Sequence, residues 1–307
     1  MAYPISVVQL DIDYAHPAIN REAALALTAD AIARGARLVV LPEACVSDYF
    51  RGTETLAESI PGPLTESFAQ IAGSATIALP LLEKSSDGSV FSSCALIRSD
   101  GVTGVARKTH LFYDSSGLNL FRDDDMIRAG DDLTVFDAGD MRVGIVLGFD
   151  ADFPEIFRTL ALKGADAIVV ALNAVEPDIE FLRGMAKRNR VAIAVANRVG
   201  FKRIYPAAPE YSAAASPILQ DKRGEFLIRC KGGSAIIGPD GSIVAAPIAH
   251  EPEGGDNTAI PARVKIPRGH FQEESVLTAA FVIDELRVQR LTHSFVTARR
   301  VELYSEK

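Results

Sequence analysis

Met141-Arg142-Val143-Gly144-Ile145-Val146-Leu147-Gly148-Phe149-Asp150-Ala151-Asp152-Phe153-Pro154-Glu155 opens the stretch that decides the fold, which runs on to Gly164-Ala165-Asp166-Ala167-Ile168-Val169-Val170-Ala171-Leu172. Met141 to Leu147 and Ala167 to Leu172 are apolar runs of strand length. Phe153 to Lys163 between them reads as a helix, and Gly164 stops it. The stretch predicts one β-α-β unit. A related pattern stands near the start of the chain. Ile5 to Leu10 is a short buried-strand run. Asn20 is the candidate cap of a helix that carries Ala24, Leu27 and Ala31 on one side, with Leu25 and Ile32 beside them. Gly35 ends that helix, and Arg37 to Glu43 is a second strand that closes on a carboxylate. Gly35-Ala36-Arg37-Leu38-Val39-Val40 parallels Gly164-Ala165-Asp166-Ala167-Ile168-Val169-Val170. Each unit has to cover one face of its sheet with helices. Two such sheets packed together give an α/β protein built as a four-layer α-β-β-α sandwich. A single doubly wound sheet is the competing architecture.

Strands are also expected at Ile77 to Leu82, Val90 to Arg98, Val105 to Phe112 and Val191 to Ala196, with a helix over Asp178 to Arg190. Gly233 to Ala245 reads as a hairpin turning at Pro239-Asp240-Gly241. Phe201 to Arg229 and Glu251 to Pro261 read as surface loops. No linker divides the chain, so residues 1–307 are expected to form a single domain.

Composition narrows the function. The chain has 307 residues, 48% hydrophobic and 23% charged, with a net charge of −8. A large core is affordable at this length. The acidic balance argues against nucleic acid or an anionic membrane as partner, and no apolar run has membrane-spanning length. Met1-Ala2-Tyr3-Pro4 leads straight into a strand without a basic, signal-like region, so a cytoplasmic location is expected. Cys45, Cys94 and Cys230 are far apart, and the five histidines are scattered, so no metal site is expected.

Three polar positions stand at or near strand ends: Glu43, Lys108 and the strand-to-helix turn at Gly148. A carboxylate, an ammonium and such an elbow are the parts of acyl transfer. The carboxylate serves as general base and acid, the ammonium stabilises an oxyanion, and the elbow presents the nucleophile beside backbone N–H groups. Glycine has no side chain to present. Each position has a plainer reading as well. Glu43 could be a solvated strand-end carboxylate, and Lys108 an exposed partner of Arg107. Asp123-Asp124-Asp125 reads most simply as a solvated acidic run, and Asp150 as a cap for the following helix. Cys45, two residues beyond Glu43, is a substitute nucleophile in one reading and a buried structural thiol in the better one.

The motifs taken in order resemble the nitrilase, or carbon–nitrogen hydrolase, superfamily. They are Leu41-Pro42-Glu43, Arg107-Lys108-Thr109-His110-Leu111-Phe112, Gly148-Phe149-Asp150 with Phe153-Pro154-Glu155, and Ala196-Asn197-Arg198-Val199-Gly200. Gly233-Ser234-Ala235-Ile236-Ile237 with Pro239-Asp240-Gly241 and Arg300-Val301-Glu302-Leu303-Tyr304 complete the set. The resemblance implies the four-layer sandwich, often dimeric through a C-terminal segment (about 276–307 here), and a Glu-Lys-Cys triad that uses no cofactor. It maps the base onto Glu43, the oxyanion-binding lysine onto Lys108, the cysteine onto Gly148 and an additional acid onto Asp123. Phe149, Asn173 and Arg198 become candidates to line the pocket of a small amide, nitrile or N-carbamoyl substrate. Met185-Ala186-Lys187-Arg188-Asn189 departs from the family pattern, with Arg188 where an acid is usual. Two histories fit Gly148: a nucleophile removed from a competent hydrolase, or a natural pseudoenzyme that keeps the pocket to bind a small ligand or a partner protein. A noncovalent lyase using Glu43 and Lys108 as acid–base groups is the third reading.

Overall fold

The computed structural model describes residues 2–50, 52–113, 122–204, 219–220, 226–247, 274–293 and 298–300. The first unit is β1 (Ala2–Asp11), α1 (Pro17–Ala33) and β2 (Leu38–Val40). Helix α2 (Pro63–Ala72) leads into β3 (Thr76–Lys84), β4 (Val90–Arg98) and β5 (Gly101–Arg107). The second unit comprises β6 (Val135–Ala138), β7 (Met141–Leu147), α3 (Pro154–Leu162), β8 (Ala167–Ala171), α4 (Ile179–Asn189) and β9 (Ala192–Ala196). Then come β10 (Arg198–Ile204), β11 (Leu219–Gln220), β12 (Phe226–Lys231), β13 (Ala235–Ile237), β14 (Ile243–Ala245), β15 (Ser275–Val282) and α5 (Ile283–Thr292).

Among the described residues the strands form two sheets. One runs β11-β12-β10-β1-β2-β3-β4-β5 with β15 also on β1; the other runs β14-β13-β9-β8-β7-β6. Strands β1, β2 and β3 are parallel neighbours, as are β7, β8 and β9. Alternation sorts the side chains into layers. Leu38 and Val40 point with Ile5 and Val7 into the space between the sheets, where they meet Val143, Ile145, Leu147 and Val169. Val39, Val8 and Leu10 point the other way, onto α1 and α2 with Phe68. Val146, Ile168, Val170, Ile193 and Val195 face α3 and α4 with Phe157 and Leu182. Helices α1 to α4 therefore lie on the outer faces of the sheets, while α5 sets Ile283 and Leu286 into the core between them. This is the four-layer α-β-β-α sandwich, and the doubly wound alternative is set aside.

Several local expectations are corrected. Asn20 does not cap α1, which begins at Pro17 after His16. It lies buried inside the first turns and ties down the neighbouring loop, donating to the Asp13 and Val46 carbonyls and accepting from the Asp13 N–H. Strand β2 stops at Val40, so Pro42 and Glu43 lie beyond it. Phe201 to Arg229 is not one loop: Val199–Ile204 pairs antiparallel with Phe226–Lys231, and Cys230 sits opposite Gly200 within that ladder. Residues 205–218 and 221–225 lie outside the described residues, as does Glu251 to Pro261. The hairpin at Pro239-Asp240-Gly241 forms as β13 and β14. In the C-terminal segment, β15 pairs antiparallel with β1 along Ala2–Gln9, and α5 is fastened through Arg287 to the buried Asp166 at 2.8 Å.

All three cysteines are buried. Cys45 packs in the α1–α2 core rather than beside Glu43. Burial pushes its thiol up to about 12 and raises those of Cys94 and Cys230 as well. Thiolates are the reactive form. The native protein at mildly alkaline pH is therefore expected to show no fast-reacting thiol toward a disulfide reagent, whereas the three present in the sequence should all titrate in denaturant. One fast thiol in the native protein would contradict this.

Candidate active site

The ends of β2, β5, β7 and β8 converge on one carboxylate. Just past β2, the Glu43 N–H donates to the Leu172 carbonyl at 3.1 Å, which ties the two sheets together at that point. The Glu43 side chain is buried and accepts a 2.9 Å hydrogen bond from the Ser92 hydroxyl on β4. Lys108, the residue after β5, is equally buried. Its Nζ lies 3.6 Å from Glu43 Oε1 and 2.7 Å from Asp123 Oδ2, 4.9 Å above the centre of the Tyr49 ring. Of the acidic run only Asp123 is buried; Asp124 and Asp125 face solvent. Its Oδ2 also accepts the Phe112 N–H at 2.8 Å, so Asp123 holds both the lysine head and the chain that follows it.

Asp150 does not cap α3, whose first residue follows Phe153 without a side-chain cap. It turns back instead and grips the lysine's neighbours. Its carboxylate accepts the Thr109 hydroxyl at 2.8 Å and the His110 N–H at 2.7 Å, and takes the Thr109 N–H as well. The turn after β7 and the segment after β5 are thereby locked to one another.

Burial dominates the titration of Glu43 and raises its pKa; Lys108 pulls it back in part, and Asp123 pushes it up again. For Lys108, burial works to lower the pKa, but Glu43 and Asp123 outweigh it and the ammonium form is favoured. Asp123 is the closer counter-ion, so Glu43 is left as the proton-accepting member of the group. A carboxyl whose folded pKa is raised binds more protons folded than unfolded, so its contribution to stability falls as pH rises toward that value. Glu43→Gln is therefore expected to melt higher than the unmodified chain near neutral pH. The advantage should shrink near pH ~4.5, the ordinary glutamate range. Paired thermal melts at the two pH values check this, and a lower midpoint for the variant at neutral pH would contradict it.

Gly148 begins the turn after β7 with φ +50°. A Cβ built there would lie 2.5 Å from Glu43 Oε2 and 2.8 Å from Oε1, so the carboxylate occupies the space a side chain would take. Two non-glycine residues beside the site share the left-handed conformation, Ala44 at φ 49° and Asp48 at φ 59°. Such residues are costly and persist where the surroundings over-determine them.

Asn173 lies behind Glu43, with Nδ2 donating to the Glu43 carbonyl at 3.2 Å and to Asp48 Oδ1 at 3.0 Å. Arg198 is fully buried one step further back. Its Nη1 meets Asp48 Oδ1 at 2.5 Å, and its Nη2 donates to the carbonyls of Ile12 and Phe201. Phe149 is half-buried beside Gly148, edge-on to Phe112 at 5.3 Å and to Phe153 at 5.1 Å. Among the described residues, no group of three or more His, Cys, Asp or Glu is placed to hold a metal ion, and no helix is long and apolar enough to cross a membrane.

The order of these parts along the chain is that of a known family. A model of carbon–nitrogen hydrolases matches residues 5–264. The chain belongs to the carbon–nitrogen hydrolase family. It is 35% identical to a nitrilase of Pyrococcus abyssi over 209 residues, 65% of this chain and 76% of that one. It is 30% identical to an omega-amidase of Xenopus laevis over 256 residues, 80% of this chain and 83% of that one. Its fold is similar to that of the amidase from Nesterenkonia sp. AN1 in a structure with an acetamide moiety covalently added at the active-site cysteine. That match has a TM-score of 0.68 at 16% identity, covering 98% of this chain and 95% of the other.

Three residues of this cluster carry no expectation from the sequence: Ser92, Tyr49 and Asp48. Ser92 had a weak signal, since Ser92-Ser93 is a polar pair inside an otherwise apolar strand, and both are buried. Lys202 belongs to a segment that reads as loop; it lies on β10 and donates from Nζ to the Asn173 carbonyl at 2.7 Å.

Proposed function

We propose that this carbon–nitrogen hydrolase binds a small amide, nitrile or N-carbamoyl compound at Glu43, Lys108 and Gly148, and that covalent hydrolysis is closed in the chain as it stands. The observation that carries the reading is the place of the missing Cβ, 2.5 Å from the Glu43 carboxylate. A cysteine at that position would set its sulfur between a proton acceptor and an ammonium, at the end of a strand that turns sharply. Glycine leaves the acceptor and the ammonium without a nucleophile. In this reading Glu43 is the base, Lys108 the oxyanion donor and Asp123 the group that positions Lys108. Phe149 with Phe112 and Phe153 forms an aromatic wall beside the ligand. Asn173 and Arg198 support the Glu43 turn from behind. The names of the relatives, a nitrilase and an omega-amidase, support the substrate class.

The test is ammonia release by the unmodified chain from short aliphatic amides, nitriles and N-carbamoyl compounds. No release above the protein-free rate is expected. Turnover that disappears in Glu43→Gln would overturn the closed-site reading and favour noncovalent acid–base chemistry, with a water activated by Glu43.

A further inference from the structure

One cavity lies apart from the Glu43 centre. It sits between the start of α1 and the start of α2, has a volume of about 200 Å³, and opens to solvent past Leu56, which is 45% exposed. Its floor is apolar: Leu64, Leu81 and Leu82 are buried, and Val46 is half-buried beside them. Two opposite charges also line it, Arg21 and Glu58, both half-buried. Among the described residues neither has an ion-pair partner, and they do not pair with each other. Each is fixed by α2 instead. Arg21 donates from Nη2 to the Pro63 carbonyl at 3.2 Å and to the Ser67 hydroxyl at 2.5 Å. Glu58 Oε2 accepts the Leu64 N–H at 3.0 Å. A guanidinium and a carboxylate are thus anchored on successive residues, Pro63 and Leu64, at the mouth of an apolar cavity. The Nε and Nη1 donors of Arg21 and the Oε1 acceptor of Glu58 remain for another partner.

We propose that this cavity binds an aliphatic α-amino acid of the size of leucine. Its carboxylate meets Arg21, its ammonium meets Glu58, and its side chain lies on Val46, Leu64, Leu81 and Leu82. Size and charge both select this class. An apolar cavity of about 150 Å³ takes a molecule as large as benzene, so this one suits a ligand slightly larger. A purely apolar ligand would leave both charges without a counter-charge. A simple acid or a simple amine would satisfy one and be repelled by the other. Only a zwitterion with an apolar body matches the whole lining, and an arginine fork is well shaped for its carboxylate. The site is chemically separate from the Glu43 centre, but the two share a wall. Val46 and Ser47 line the cavity and belong to the turn between Ala44 and Asp48, both of which hold the left-handed conformation. A ligand packed on Val46 and Ser47 stabilises the folded form of that turn by mass action.

The experiment is calorimetric titration of the unmodified full chain with L-leucine and two of its fragments: 4-methylpentanoate, which lacks the ammonium, and 3-methylbutylamine, which lacks the carboxylate. L-Leucine is expected to bind about tenfold or more tightly than either fragment, and to raise the thermal midpoint as its concentration rises. Arg21→Met and Glu58→Gln should each weaken leucine binding by about tenfold. Glu43→Gln should leave it unchanged, which separates this cavity from the Glu43 centre. No binding of L-leucine at millimolar concentration, a fragment that binds as well as leucine, or an affinity that survives Arg21→Met and Glu58→Gln overturns the proposal. Loss of leucine binding in Glu43→Gln would place the ligand at the other centre and overturn it as well. The comparison of the three ligands needs only the unmodified chain, so it decides the matter even where a variant fails to fold.

Discussion

Gly148→Cys is expected to hydrolyse a short amide on the order of 10³-fold faster than the unmodified chain, because it supplies the one missing reactant to a site whose other members are in place. On the proposed reading, the thiol proton passes to Glu43 as the sulfur attacks the carbonyl carbon. The developing oxyanion is met by Lys108. Glu43 returns the proton to the leaving nitrogen, and ammonia departs. Water, deprotonated by the same carboxylate, then cleaves the thioester and frees the acid and the thiol. The substitution also carries a cost. At φ +50° a residue with a Cβ is strained by about 1–3 kcal/mol, and the new Cβ would press on Glu43 at 2.5 Å. The obstacle is the free end of a side chain rather than backbone, so Glu43 can yield by rotating. The variant should therefore be both more active and less stable, a trade that functional sites commonly make. Adding Glu43→Gln or Lys108→Met to it should return the rate to background. A gain in rate that survives either second substitution would mean that the chemistry occurs elsewhere.

Arg198→Met is expected to produce the largest loss of stability of any single change considered, about 3–5 kcal/mol. The guanidinium is fully buried and bonds to Asp48 and to the carbonyls of Ile12 and Phe201. Removing it leaves the buried Asp48 carboxylate without its counter-ion and takes a donor from the Ile12 and Phe201 carbonyls, and Asp48 belongs to the turn that carries Glu43. By contrast, the exposed pair Arg34–Asp30 at 2.7 Å should cost less than about 1 kcal/mol when broken. Urea unfolding of Arg198→Met, Arg34→Met and the unmodified chain separates the two cases. A loss below about 1 kcal/mol for Arg198→Met would show that the buried cluster is not what holds the turn.

The layers were legible because they depend on local pattern. Leu38-Val39-Val40 and Ala167 to Ala171 alternate between two buried faces, and glycines stop the helices that precede them. Glu43 could be picked out because a charged residue at the end of an apolar run is conspicuous without any knowledge of its neighbours, whereas Lys108 follows Arg107 and stands out only in the order of the motifs. What escaped depends on pairing between distant segments. Ser92 reaches Glu43 across 49 positions of sequence, and only the stacking order β2-β3-β4 brings them together. Asp150 looked like a helix cap because a helix follows it; its real partners, Thr109 and His110, lie 41 and 40 positions upstream. The strand that carries Lys202 was unreadable because Phe201 to Arg229 lacks the apolar alternation of a strand. Its pairing with β12 comes from the ladder that continues β10, not from local preference.

Intact-mass and peptide mapping after exposure to fluoroacetamide test the central claim most directly. The account predicts one acetamide adduct at position 148 in the double variant Gly148→Cys/Glu43→Gln, where amide hydrolysis no longer competes with displacement of fluoride by the sulfur, and no adduct in the unmodified chain. An adduct on Cys45, Cys94 or Cys230 of the unmodified chain, or an unreactive cysteine at 148 in a folded variant, would contradict it.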